Sequence, residues 1–101
     1  MNIETCTYDG KFEAALSGRL TSADLGDFRQ LLSRIKDCKC DTVLIDLKNL
    51  HWIDSAGLGM LLLARDTAAK SNLELVLREP QGDVKSLLKL GRFETIFNVQ
   101  F

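Results

Sequence analysis

The chain has 101 residues, 46% hydrophobic and 27% charged, with 13 Lys and Arg against 14 Asp and Glu for a formal charge of −1. That length and composition fit one ordinary globular domain, too apolar for intrinsic disorder. The near-neutral balance excludes a protein pulled whole onto nucleic acid or anionic lipid by its field, and the longest apolar run, Met60 to Ala64, is far below the ~20 residues that span a bilayer.

Ile3–Tyr8 is rich in Thr and in branched or aromatic residues and reads as a strand. Asp9-Gly10 is a favoured hairpin turn. Phe12, Ala14 and Leu16 alternate with Lys11, Glu13 and Ser17, the period of a strand with one wet face. Lys11–Gly18 is therefore predicted to pair antiparallel with the first strand and to stop at Gly18. Thr21 then caps a helix, with Asp24 in the capping-box position. Leu25, Phe28, Leu32 and Ile35 form its apolar stripe, and it ends near Asp37. Thr42–Leu47 is short, β-branched and nearly all apolar, which predicts a central strand buried on both faces. Asp46 interrupts it near its end, and Lys48–Asp54 reads as a loop. A second helix is predicted over Ser55–Lys70 and a strand over Leu73–Leu77. Pro80-Gln81-Gly82 is a turn. Asp83 caps a third, short helix with Val84, Leu87 and Leu88 inward and Gly91 at its stop. A last short strand falls within Phe93–Phe101. The order ββαβαβα(β) implies an α/β fold in a single domain over residues 1–101. Its sheet is mixed, of four or five strands, with helices packed over it and right-handed parallel crossovers.

Met1-Asn2-Ile3-Glu4-Thr5 has neither the basic patch nor the apolar segment of a secretion signal. Cys38-Lys39-Cys40 lacks a second Cys pair, and His51 is the single histidine, short of the four ligands of a structural zinc site. Free thiols in a reducing compartment are expected, with no metal, no cofactor and a cytoplasmic location.

The most informative stretch is Trp52-Ile53-Asp54-Ser55-Ala56-Gly57-Leu58-Gly59. It lies at a predicted strand–loop–helix junction, where α/β sheets usually place their ligand sites. Two glycines in a first helical turn cost roughly 1 kcal/mol each relative to Ala, which is understandable where another backbone or a bulky group comes close. Ser55 is at or near the N-cap, where unpaired N–H groups and the helix dipole favour an anion. Two readings of Ser55 stand on this spacing: plain capping, for which Asp and Ser are both favoured, or a modified or ligand-binding serine. Gly57–Gly59 is not a phosphate loop, since no Gly-Lys-Ser/Thr follows, nor a dinucleotide fingerprint, since Leu62 holds the third glycine position. That weighs against a nucleotide-binding or hydrolysing protein.

Self-contained catalysis is poorly supplied. His51, the one candidate base for a serine nucleophile, reads as a loop residue packed on Trp52. Asp46 and Asp54 are a candidate carboxylate pair, with backbone satisfaction of Asp46 as the competing reading. Arg19 is a candidate phosphate contact or a solvated side chain. On the second helix Leu58, Leu61, Leu62, Ala68 and Ala69 share the face expected to meet the sheet, with Arg65 inside that arc at an edge. Ala56, Met60, Leu63 and Thr67 share another face. It is either an exposed docking strip beside Ser55 or the second face of a helix buried on two sides.

Val43-Leu44-Ile45-Asp46-Leu47, Ile53-Asp54-Ser55-Ala56-Gly57-Leu58-Gly59 and Leu73-Glu74-Leu75-Val76-Leu77 carry a resemblance over nearly the whole chain. It resembles the STAS domain family and, within it, the free-standing bacterial anti-sigma factor antagonists. The resemblance implies a mixed sheet covered by helices on one side, with a regulatory phosphorylation site at Ser55. It implies partner switching by a protein that is not an enzyme. The unphosphorylated antagonist binds an anti-sigma factor that is often a serine kinase, phosphorylation releases it, and a serine/threonine phosphatase resets it. No nucleic acid and no direct membrane insertion are involved. With the helix strip, the partner-binding residues expected are Asp54, Ser55, Ala56, Gly57, Gly59, Met60 and Leu63, joined by Thr21. The alternative within the same resemblance is a constitutive cytoplasmic subunit of a membrane lipid-transport complex, with Ser55 only a helix cap. Three stretches depart from the family pattern: Arg19-Leu20-Thr21 where an acidic residue is frequent, Ser71-Asn72 in place of a glycine, and Leu90-Gly91-Arg92-Phe93 near the end.

Overall fold

The computed structural model describes residues 1–101 and opens with a hairpin. Strands β1 (Asn2–Tyr8) and β2 (Lys11–Leu20) pair antiparallel in unbroken register. Asp9 and Gly10 between them take φ of 47° and 73°, the left-handed pair that a tight hairpin turn requires. Gly18 does not end β2. With φ 86° it sits inside a longer strand where the register against the next strand slips, the extra residue at the slip being His51 of that next strand. A 3-10 turn, Ser22–Asp24, leads into α1 (Leu25–Lys36).

β3 (Thr42–Ile53) is twice the predicted length. The stretch read as a loop is strand up to Ile53. Its period was hidden because the buried residues Leu47, Leu50 and Ile53 come every third position along an irregular pairing with β2. α2 (Ser55–Lys70) has the predicted bounds, and β4 (Glu74–Arg78), α3 (Gly82–Leu90) and β5 (Asn98–Gln100) follow. Asp83 lies inside the first turn of α3 and does not cap it; Gln81 holds the cap position, because the helix starts two residues earlier than expected, at Gly82. The sheet has five strands in the order β1-β2-β3-β4-β5, parallel everywhere except β1–β2.

Helices cover one face of the sheet. Phe12, Ala14, Leu16, Val43, Ile45, Leu47, Leu75 and Leu77 join α1 and α2 residues in one buried cluster. On α1 that cluster takes Phe28, Leu31 and Ile35; Leu31 is buried where Leu32 was expected, and Leu32 is half-buried beside it. On α2 it takes Gly57, Met60, Leu61, Ala64 and Ala68, a clean i, i+3, i+4, i+7 stripe. Leu58 and Leu62 are half-buried at its flank and Ala69 is exposed. Arg65 lies at the edge, with its guanidinium 5.9 Å over the Phe97 ring and 3.3 Å from Asp66.

The opposite face is strapped by charge. Arg78 reaches across β3 to donate to Glu13 Oε1 at 2.6 Å and to Asp46 Oδ2 at 3.2 Å. Burial works against the guanidinium's charge, and the bonds to Glu13 and Asp46 more than offset it, so its pKa lies above its ordinary value. Beneath this strap Leu44 and Val76 are buried outside the main cluster. The accessible surface is 5726 Å², against about 5,700 Å² from area scaling for a folded chain of this size.

Cys38 and Cys40 are joined as a disulfide in the α1–β3 connection, where free thiols were expected. The turn after α1 brings their Cα atoms to 5.4 Å, inside the usual bridging range. Cys6 is free and exposed. No helix is long and apolar enough to cross a membrane.

Candidate functional site

The site forms where β2 and β3 end side by side. Leu20 pairs with Ile53 in register, both are buried, and the next backbone N–H, of Asp54, donates to the Leu20 carbonyl at 3.3 Å. The two chains then part: Thr21 enters the turn before α1 and Ser55 enters α2. Thr21 and Ser55 therefore flank one seam at one end of the sheet. Thr21 is held there by its N–H, which donates to Asp24 Oδ2 at 2.9 Å.

Asp54 is the N-cap of α2. Its Oδ1 accepts from the Gly57 N–H at 2.8 Å, and its carbonyl accepts from Leu58 N–H at 2.9 Å. Ser55 is the first helical residue, exposed, and its hydroxyl makes no hydrogen bond within the protein. Of the two readings of Ser55, the capping one is not what the helix shows, because Asp54, one residue earlier, already occupies the first turn's capping geometry. The N–H groups of Ser55 and Ala56 remain at the helix end without an intrahelical acceptor. An anion on Ser55 would meet those two donors and the positive end of the helix dipole.

The two glycines differ. A Cβ on Gly57 would lie 2.5 Å from the Leu20 carbonyl oxygen and 2.6 Å from Ile53 Cγ1, so glycine lets α2 close onto the seam. A Cβ on Gly59 would meet nothing within 4 Å. Packing does not require that glycine; it leaves bare backbone on the outer side of the helix, one turn from Ser55.

A model described as "Mlab, STAS domain" matches residues 6–98. The chain belongs to the STAS domain family. This STAS domain is 33% identical over 84 residues to a STAS-domain containing protein of Pseudomonas aeruginosa, covering 83% of this chain and 82% of that one. It is 21% identical over 99 residues to an anti-sigma-B factor antagonist of Staphylococcus aureus, covering 98% of this chain and 92% of the other. Among solved structures, the anti-sigma factor antagonist SpoIIAA in its unphosphorylated form matches with a TM-score of 0.74 at 15% identity, over 99% of this chain and 88% of that one. SpoIIAA in its phosphorylated form matches with a TM-score of 0.73 at 15% identity, over 99% and 92%. The STAS domain thus has a SpoIIAA-like fold.

Of the site residues expected, the fold brings Thr21, Asp54, Ser55, Ala56 and Gly59 to this end. Leu63, 46% exposed, continues the outer side of α2 with Asp66. Gly57 and Met60 are not on that surface. Both are buried, Met60 to 3% exposure, because the helix turns that side onto the sheet, so the strip is Ala56, Gly59 and Leu63 rather than Ala56, Met60 and Leu63. Asp46 and Asp54 do not form a pair. Asp46 accepts from Lys48 N–H at 2.9 Å and from Arg78, and more than about 20 Å of extended strand separates it from Asp54. His51 and Trp52 lie in β3, not in a loop; with Arg19, which is in register with Trp52, they line an open cleft beside the site. The Leu20 carbonyl is the feature that spacing did not reveal. Its signal is Gly57, whose missing side chain marks a close backbone approach.

Proposed function

We propose that this STAS domain is an anti-sigma factor antagonist that docks through the Thr21–Ser55 end and is released by phosphorylation of Ser55. The partner is an anti-sigma factor that is also a serine kinase, and a serine/threonine phosphatase restores the binding form. One observation carries the reading: Ser55 is presented on the surface at the start of α2 while Asp54 does the capping. Its hydroxyl has no structural task. The Staphylococcus aureus relative is named for the same activity, and SpoIIAA is known in both phosphorylation states.

The covalent step belongs to the kinase, which moves the γ-phosphoryl group of ATP onto Ser55 Oγ and releases ADP. The STAS domain itself acts by binding. A phosphoserine adds about −1.5 to −2 charges beside the Asp54 carboxylate. Inside a dry interface an unpaired charge costs on the order of 2–5 kcal/mol, which weakens binding by roughly 30- to several-thousand-fold.

The test is titration calorimetry against an anti-sigma factor kinase of the same organism. Wild type and Ser55→Ala are expected to bind alike, and Ser55→Asp about 30-fold or more weaker. With ATP and the kinase, wild type gains one phosphoryl group by mass and Ser55→Ala gains none. Ser55→Asp binding as tightly as wild type would sink the proposal.

A further inference from the structure

We propose that the free edge of β1, with the groove between it and α1, binds a second copy of this chain about a two-fold axis through Thr5. β1 is the outermost strand and pairs only with β2. Edge strands are normally blunted by shortness, Pro, Lys or a bulge. β1 has none of these, and its one charged residue is Glu4. It is seven residues long, Asn-Ile-Glu-Thr-Cys-Thr-Tyr, in unbroken register. The other edge, β5, has only three residues.

The groove beside this edge holds about 310 Å³ and is lined by Met1, whose ammonium is paired with Asp24, by Asn2 and Ile3 of β1, and by Asp27, Gln30, Leu31 and Arg34 of α1. Its charges are arranged antisymmetrically. The Arg34 guanidinium lies 5.7 Å over the Phe12 ring, and Phe12 pairs with Thr7, so Arg34 marks the Thr7 end. Asp27 lies one way along the helix by about 10.5 Å, which is about three strand residues, toward Ile3. Gln30 stands between them on α1 and lines the groove with Asn2 and Ile3. Neither Asp27 nor Arg34 forms an ion pair within the chain.

A two-fold axis through Thr5, normal to the sheet, runs the second β1 antiparallel to the first. Thr5 then faces Thr5, and Ile3 faces Thr7 of the second copy, pairings of β-branched residues that stabilise antiparallel strands. The same rotation runs the two α1 helices antiparallel across the joined grooves. Asp27 of each copy comes opposite Arg34 of the other, and Gln30 opposite Gln30. Such an interface is isologous and closed. Centring on Glu4 instead would set two carboxylates face to face, which is destabilising.

Sedimentation equilibrium on the full chain into the high-micromolar range tests this. Wild type is expected to form a concentration-dependent dimer. Asp27→Arg alone and Arg34→Asp alone each place like charges across the axis twice per dimer, and each is expected to weaken it about tenfold or more. The double reversal, Asp27→Arg with Arg34→Asp, recreates both pairs and is expected to restore the wild-type constant. Both side chains are exposed, and circular dichroism verifies that each variant is folded. A monomer at every concentration overturns the proposal. So does a dimer indifferent to the single reversals, or one not rescued by the double.

Discussion

The Asp54 carboxylate accepts the Gly57 N–H, so removing it strands a donor in the first turn of α2. Asp54→Ala is expected to cost about 1 kcal/mol in urea unfolding. Ser55→Ala, which removes an exposed hydroxyl without a partner, is expected to cost less than about 0.5 kcal/mol. Equal losses would return the capping role to Ser55 and weaken the case for a serine kept for modification. The glycines form a second contrast. Gly57→Ala drives a methyl group into the Leu20 carbonyl and Ile53, and neither backbone nor core gives easily, so a loss of about 1–3 kcal/mol is expected. Gly59→Ala meets open space and should gain up to about 1 kcal/mol from helix propensity. If Gly59 backbone is part of the docking surface, that same variant will be more stable yet bind its partner less well; chemical unfolding and calorimetry on one sample separate the two effects.

At the scale of elements, the junction between β2 and α1 is held by a carboxylate. The Thr21 N–H is the main cause keeping the Asp24 carboxyl below its usual range; burial opposes it, and the Met1 ammonium at 3.1 Å lowers it further. A carboxyl whose pKa is lower in the folded state contributes stability above its unfolded pKa, about 4. That contribution disappears as the pH falls through the folded value. The difference in unfolding free energy between wild type and Asp24→Asn should therefore be full at about pH 6 and shrink steadily below about pH 4. A difference independent of pH would show that the charge is not what holds the junction. This capping box was legible from Thr21 and Asp24 because it is a local interaction at fixed spacing. The bounds of α2 were legible for the same reason. What failed were features fixed by tertiary contact. The second half of β3 exposes Lys48, Asn49, His51 and Trp52 along a slipped register, so neither a period of two nor a continuous apolar run marks it. The buried face of α2 turns on Gly57, whose packing against Leu20 rotates Met60 inward, and no helical wheel drawn on side-chain polarity alone places a glycine at the centre of the buried face.

On the scale of the whole molecule, phosphorylation of Ser55 is expected to change the surface without moving the fold. α2 is anchored on its other side by Gly57, Met60, Leu61, Ala64 and Ala68, and its start is tied to β2 through the Asp54–Leu20 backbone bond. None of these contacts involves the Ser55 side chain. A phosphate there gains about 0.3–1 kcal/mol from the helix terminus, while the neighbouring Asp54 carboxylate repels it, so the two effects leave global stability nearly unchanged. The charge is nevertheless large beside a formal total of −1, and it is concentrated at one end, where a partner would have to desolvate it. Backbone amide shifts measured by NMR on the phosphorylated and unmodified protein should differ from Asp54 to Gly59 and around Leu20 and Thr21, with β4, α3 and β5 unmoved. Shifts spreading into Leu75, Leu77, Val84 or Leu88, all of them in the core, would mean that the phosphate repacks the domain. Release would then be a conformational change carried through the sheet, and substitutions remote from Ser55 would be able to mimic it; with the shifts confined to the seam, only charge at the seam can.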